Sequence, residues 1–133
     1  MKKAVVYWSG TGNTEAMAKA VAEGAGAPLI SAADFGAAQA AELDGIAFGC
    51  PAMGAEALEE TEFEPMFESV KGSLAGKRVA LFGSYGWGDG DWMQLWEDDC
   101  RAAGISLVCP SVICQGEPDA QALAKCKALG AAL

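Results

Sequence analysis

The chain has 133 residues, 52% of them apolar, enough for one core that buries roughly 70% of the unfolded surface, yet no uncharged apolar run reaches the about 18 positions of a membrane span. Its 18 acidic against 9 basic residues give a net charge of −9, which disfavours nucleic acid and anionic membranes as partners. Histidine is absent and the five cysteines contain no C-x-x-C pair. Ser-His-Asp and Cys-His catalysis and the commonest metal ligand are therefore excluded, and the thiols are expected to be small buried hydrophobes in a reducing, cytoplasmic compartment.

Along the chain, Lys3 to Trp8 is a β-rich run that ends at Ser9-Gly10-Thr11-Gly12. From Asn13 onward, Met17, Ala20, Val21 and Gly24 recur at helical spacing, and the crowding of Gly24, Gly26 and Pro28 predicts an early helix end. Pro28 to Ile30 is a short second strand and Asp44 to Gly49 a third. Phe63, Met66, Phe67, Val70 and Leu74 then mark a helix with Pro65 in its first turn. Arg78 to Ser84 is a fourth strand, and Trp92, Leu95, Trp96, Cys100 and Ala103 form a helical stripe that Gly104 stops. Ile105 to Ile113 is a fifth strand broken by Pro110, and Asp119 to Leu133 carries Leu123, Cys126 and Leu129 on one helix face. No repeat or linker interrupts the series, so residues 1–133 are expected to form one α/β domain. Apolar runs without alternation imply a five-stranded parallel sheet covered on both faces, with ligands beyond the carboxyl ends of its strands.

Those ends carry the chemistry. Ser9-Gly10-Thr11-Gly12-Asn13-Thr14 places backbone N–H groups and a helix N-terminus around one centre, an anion cradle of neutral donors without a cation. It is not a P-loop, because the first lysine after the turn is Lys19, and Glu15 stands where the dinucleotide pattern needs a third glycine. The third strand ends in Cys50-Pro51-Ala52-Met53-Gly54-Ala55-Glu56 and the fourth in Ser84-Tyr85-Gly86-Trp87-Gly88-Asp89-Gly90. Met53 and Trp87, each set among glycines or small residues, suit a flat conjugated ring between them. Trp8, Trp92 and Trp96 are assigned to packing.

The segments Y-W-S-G-T-G-N-T-E, G-C-P-A-M-G and L-F-G-S-Y-G-W-G-D-G resemble the signature segments of the short-chain flavodoxins, in order and over the whole chain. The resemblance implies a flavodoxin-like doubly wound sheet that binds one FMN noncovalently and shuttles single electrons between redox enzymes, without catalysis of its own. The alternative is an FMN-dependent quinone or NAD(P)H reductase of the same fold. It further implies that Ser9, Gly10, Thr11, Gly12, Asn13 and Thr14 hold the FMN phosphate. Ala52, Met53, Gly54, Ala55 and Glu56 would lie on one side of the ring, with Glu56 at its N3 edge. Ser84, Tyr85, Gly86, Trp87 and Gly88 would lie on the other. No metal ligand is expected.

Between residues 20 and 70 there is no Lys or Arg, while ten Asp or Glu fall there, six of them (Glu56, Glu59, Glu60, Glu62, Glu64, Glu68) beside the Met53 loop. These charges are expected to lower the flavin potential and to steer basic-surfaced redox partners toward a monomeric carrier. The resemblance also implies that the Gly54 carbonyl rotates inward on reduction, exchanging a positive φ at Ala55 for one at Gly54. Alanine at 55 is expected to disfavour the first arrangement by roughly 1 kcal/mol.

Overall fold

Five apolar runs pair in register into a parallel sheet in the computed structural model, which describes residues 2–54 and 56–133. The strands are β1 (Lys3–Tyr7), β2 (Leu29–Ser31), β3 (Gly45–Gly49), β4 (Arg78–Tyr85) and β5 (Val112–Gln115), in the order β2-β1-β3-β4-β5. Between them run α1 (Asn13–Ala25), α2 (Ala37–Ala41), α3 (Phe63–Lys71) and α4 (Asp91–Ala102), and α5 (Ala120–Ala132) follows β5. Strand order reverses at β1 and β3, so the loops leaving those two strands diverge and open a crevice at their carboxyl ends.

The expected burial of both sheet faces is seen residue by residue. Val6, Ile46, Phe48, Val79 and Leu81 face one core with Phe63, Phe67, Trp92 and Trp96 from α3 and α4. Val5, Ala47, Ala80 and Phe82 face the other with Met17, Val21, Cys126 and Leu129 from α1 and α5. The second face is built from smaller residues, and its two helices press closely together. A Cβ at Gly24 would strike the Lys127 carbonyl oxygen, and one at Gly130 that of Val21. Gly24 is therefore a packing residue inside α1, which ends two positions later where Gly26 takes φ 64°.

Two expectations are corrected, and one helix was not expected. The α4 stripe is Trp92, Met93, Trp96 and Cys100, while Leu95 is 59% exposed. The buried face of α4 is turned toward Met93, because Glu97 on that flank meets Ser111 before β5 (Oε2 to Oγ, 2.6 Å). The fifth strand is regular only from Val112. Earlier, Leu107 bridges to Val79, and six residues from Leu107 to Val112 oppose four from Val79 to Phe82. Pro110 sits in that excess, since it cannot donate to a ladder. Finally α2 had no signal, because Ala-Ala-Gln-Ala-Ala lacks apolar periodicity. Its start is held by the Gln39 side chain, whose Oε1 accepts from Gly36 N at 3.1 Å.

Among the described residues no helix is long and apolar enough to cross a membrane, and no cluster of acidic or thiol side chains could hold a metal. All five cysteines are free. Burial pushes the thiols of Cys50, Cys100 and Cys126 up to about 12, so they stay protonated and unreactive.

Candidate functional site

The turn after β1 is built by its glycines and one serine. Gly12 takes φ 98°, a left-handed conformation that an L side chain would strain, and it caps α1. Ser9 Oγ accepts from Gly12 N at 3.1 Å and from Glu15 N at 3.2 Å, so part of the helix-end N–H set is satisfied inside the turn. Thr14 Oγ1 is buried and has no protein partner. A buried hydroxyl left without a partner costs on the order of 1–3 kcal/mol, and here it lines the cleft.

The loop after β3 is anchored before it reaches Met53. Cys50 N donates to Phe82 O (3.2 Å), Ala52 N to Ser84 O (3.1 Å) and Trp92 Nε1 to Cys50 O (3.2 Å). Met53 and Ala57 then exchange two backbone hydrogen bonds, Met53 N to Ala57 O at 2.8 Å and Ala57 N to Met53 O at 3.0 Å, closing a three-residue hairpin loop. Positive φ falls on Gly54 (51°) and on Glu56 (56°). Glu56 is the sole non-glycine residue with positive φ among the described residues, and its Oε2 accepts from Trp92 N at 2.7 Å. That bond ties the hairpin to the start of α4 and offsets the strain. Ala55, where a positive φ was expected, lies outside the described residues.

The loop after β4 brings the other wall. Ser84 Oγ donates to Gly116 O at 2.6 Å, Tyr85 packs on Trp92 at 5.5 Å, and Gln115 Nε2 reaches Gly86 O at 3.3 Å. Gly88 takes φ 89°, and a Cβ there would strike Glu56 Oε1. The Trp87 loop and the Met53 hairpin are thus fitted to each other. Trp87 is 69% and Met53 38% exposed.

Between the three loops lies a cleft of about 230 Å³. Of the expected residues, Ser9, Gly10, Thr11, Asn13, Thr14, Ala52, Met53, Ser84, Tyr85 and Gly86 line it; Gly12 lines the adjoining hollow. Gly54, Glu56, Trp87 and Gly88 do not line it and belong to the two loops beside it. Trp8, Pro51 and Gly116 line it without having been expected. Trp8, assigned to packing, does pack against the core while half-buried, and its Nε1 donates to Glu62 Oε1 at 3.0 Å. Among the described residues no charged side chain lines the cleft, while Glu15 and Glu62 line the adjoining hollow.

One acidic residue is not where the sequence put it. Glu59 is 4% exposed. Its carboxylate accepts from Thr61 Oγ1, from Thr61 N (2.7 Å), from Glu62 N (2.8 Å) and from Phe63 N (2.9 Å), and so caps α3. Burial alone would raise its pKa, but these hydrogen bonds outweigh it and bring the carboxyl down to about 2. Its charge is consumed by the helix start and is not part of an acidic surface.

The family model described as Flavodoxin matches residues 5–130. A flavodoxin of Clostridium beijerinckii is 47% identical over 120 residues, covering 86% of this chain and 87% of that one. One of Megasphaera elsdenii is 41% identical over 133 residues, covering 96% and 95%. The solution structure of two-electron reduced Megasphaera elsdenii flavodoxin superposes with a TM-score of 0.88 at 42% identity, over 98% of this chain and 96% of that one. A flavodoxin structure from the domain Archaea gives 0.86 at 32% identity, over 98% and 94%.

Proposed function

Because the chain belongs to the flavodoxin family, we infer that the cleft between the three loops is the seat of its FMN. The chain is an FMN-binding electron-transfer protein and not an enzyme. When bound, FMN supplies a ring that takes up and returns electrons. The observation that carries the placement is the partnerless buried Thr14 hydroxyl where the cation-free turn of residues 9–13 enters α1, which suits a phosphate. In this reading Ser9, Gly10, Thr11, Gly12, Asn13 and Thr14 hold the phosphate. Ala52, Met53, Gly54 and Glu56 flank one side of the ring, and Ser84, Tyr85, Gly86, Trp87 and Gly88 the other. Ala55 stays with the first group on sequence grounds. All these loops leave one sheet, which supports one domain over residues 1–133; in this reading the carrier works as a monomer in the cytoplasm.

The ring is held at low potential by the exposed carboxylates around it. One such charge about 10 Å away, at an effective dielectric of about 20 to 40, opposes an added negative charge by about 1 to 2 kcal/mol, roughly 40 to 70 mV for one electron. Glu60 is exposed. Glu60→Gln is expected to raise the potential for the second electron by up to that amount in an anaerobic redox titration, and an unchanged potential would show that ring contacts alone set it. Glu59 is unsuitable for this test because its charge caps α3.

The same carboxylates suit a basic-surfaced redox partner. The reduced protein is expected to pass electrons to such a partner at a rate that falls steeply with ionic strength, and to be reduced poorly by NADH or NADPH. Efficient direct oxidation of either nucleotide under anaerobic conditions would overturn the carrier reading.

A further inference from the structure

We propose that the flank of α4 centred on Leu95 is a docking surface for the redox partner, which seats an apolar side chain there within a ring of its own lysine or arginine residues. This rests on the carrier reading above and names the contact by which the partner is held.

Leu95 and Trp87 are the most exposed large apolar residues described, at 59% and 69%. Trp87 has an occupant in the proposed cofactor, and Leu95 has none. Helical spacing places Leu95 on one flank with Asp91, Asp98 and Asp99. All three aspartates are solvent-accessible, and two have cationic neighbours: Asp99 meets Lys71 Nζ at 3.1 Å and Asp98 meets Arg101 at 3.5 Å. The Lys71 contact joins this flank to α3, whose exposed Glu68 holds the same lysine at 3.1 Å. Around this leucine stand four carboxylates, Asp91, Asp98, Asp99 and Glu68, against the two cations Lys71 and Arg101.

The flank is continuous with the site. Asp91 is the first residue of α4 and follows the Trp87 loop directly, and the next N–H, that of Trp92, is held by Glu56 of the Met53 hairpin. A partner seated on Leu95 would therefore sit one helical turn from the loop that carries Trp87. An apolar contact inside a charged rim is where an interface concentrates its binding energy, while the rim charges govern approach. Charge complementarity restricts the occupant to a basic protein surface.

The test uses FMN-loaded protein, reduced anaerobically and mixed with oxidised, lysine-rich cytochrome c in stopped flow. Leu95→Gln, which keeps helix propensity and the surrounding charges, is expected to lower the second-order rate about fivefold to tenfold. The salt dependence, the flavin potentials and the rate with a small neutral quinone should stay unchanged. Leu29→Gln changes an equally natural exposed leucine, 37% exposed on the edge strand β2, and is expected to leave the rate unchanged. An unchanged rate for Leu95→Gln beside a salt-sensitive wild-type reaction would overturn the docking surface and leave the carrier reading standing. An equal loss in both variants would also overturn it. Failure of the wild-type protein to reduce cytochrome c, or a salt-independent rate, would overturn both.

Discussion

Replacing Glu59 by Gln is expected to cost the fold about 2 to 3 kcal/mol at pH 7 and about 1 kcal/mol or less near pH 2.5. The side chain satisfies three backbone N–H groups and one hydroxyl at the start of α3 while itself buried. A carboxyl at about 2 in the folded chain against about 4.3 when unfolded contributes on the order of 3 kcal/mol. The folded value is depressed, so this contribution is complete above the unfolded value, shrinks as pH falls below it and is lost as pH falls through about 2. Gln keeps one acceptor oxygen and no charge, which removes the pH-dependent part. Urea unfolding of the flavin-free chains at pH 7 and pH 2.5, followed by far-UV circular dichroism, checks this. The gap between wild type and variant should narrow by more than half on acidification, and an equal gap at both values would show that shape, not charge, makes the cap.

Thr14→Val is expected to act with opposite signs on the flavin-free and the loaded protein. The hydroxyl is buried and unpartnered, so replacing it with a methyl group of nearly the same shape should stabilise the flavin-free fold by about 1 kcal/mol. An anionic phosphate would turn that hydroxyl into the donor of a charge-assisted bond worth about 1.5 to 3 kcal/mol, so FMN affinity should fall roughly tenfold to a hundredfold. Urea midpoints of the flavin-free chains and a fluorescence titration with FMN give the two signs separately. A variant that is less stable without flavin and binds FMN as well as wild type would place the hydroxyl in packing alone.

Much of this was legible in the sequence because the deciding forces were local. Unbroken apolar runs such as Gly-Ile-Ala-Phe-Gly fit only a strand covered on both faces, and the three glycine-rich loops follow the strands that position them. What stayed hidden depends on neighbours from distant segments. In a run of six glutamates nothing local separates Glu59, which is drawn inward by the open start of α3, from Glu60, which stays exposed. Leu95 and Met93 compete for the core side of α4, and the contact between Glu97 and Ser111 favours Met93. Trp8 reads as the end of a strand, yet its indole is held at the cleft by Glu62, 54 residues away. The hairpin from Met53 to Ala57 has one residue more than the four-residue turn expected there, and its added residue Glu56 takes a positive φ.

The central claim is that the turn from Ser9 to Thr14 holds the phosphate of FMN and that the Met53 and Trp87 loops hold its ring. It is tested most directly by titrating the flavin-free protein with FMN and, separately, with riboflavin, which carries the same ring without phosphate, and following the quenching of flavin fluorescence. The account predicts stoichiometric quenching of one FMN per chain and binding of riboflavin weaker by about a hundredfold or more, as expected when a phosphate held by several hydrogen bonds is lost. Equal affinity for the two flavins, or no quenching by either, would contradict it.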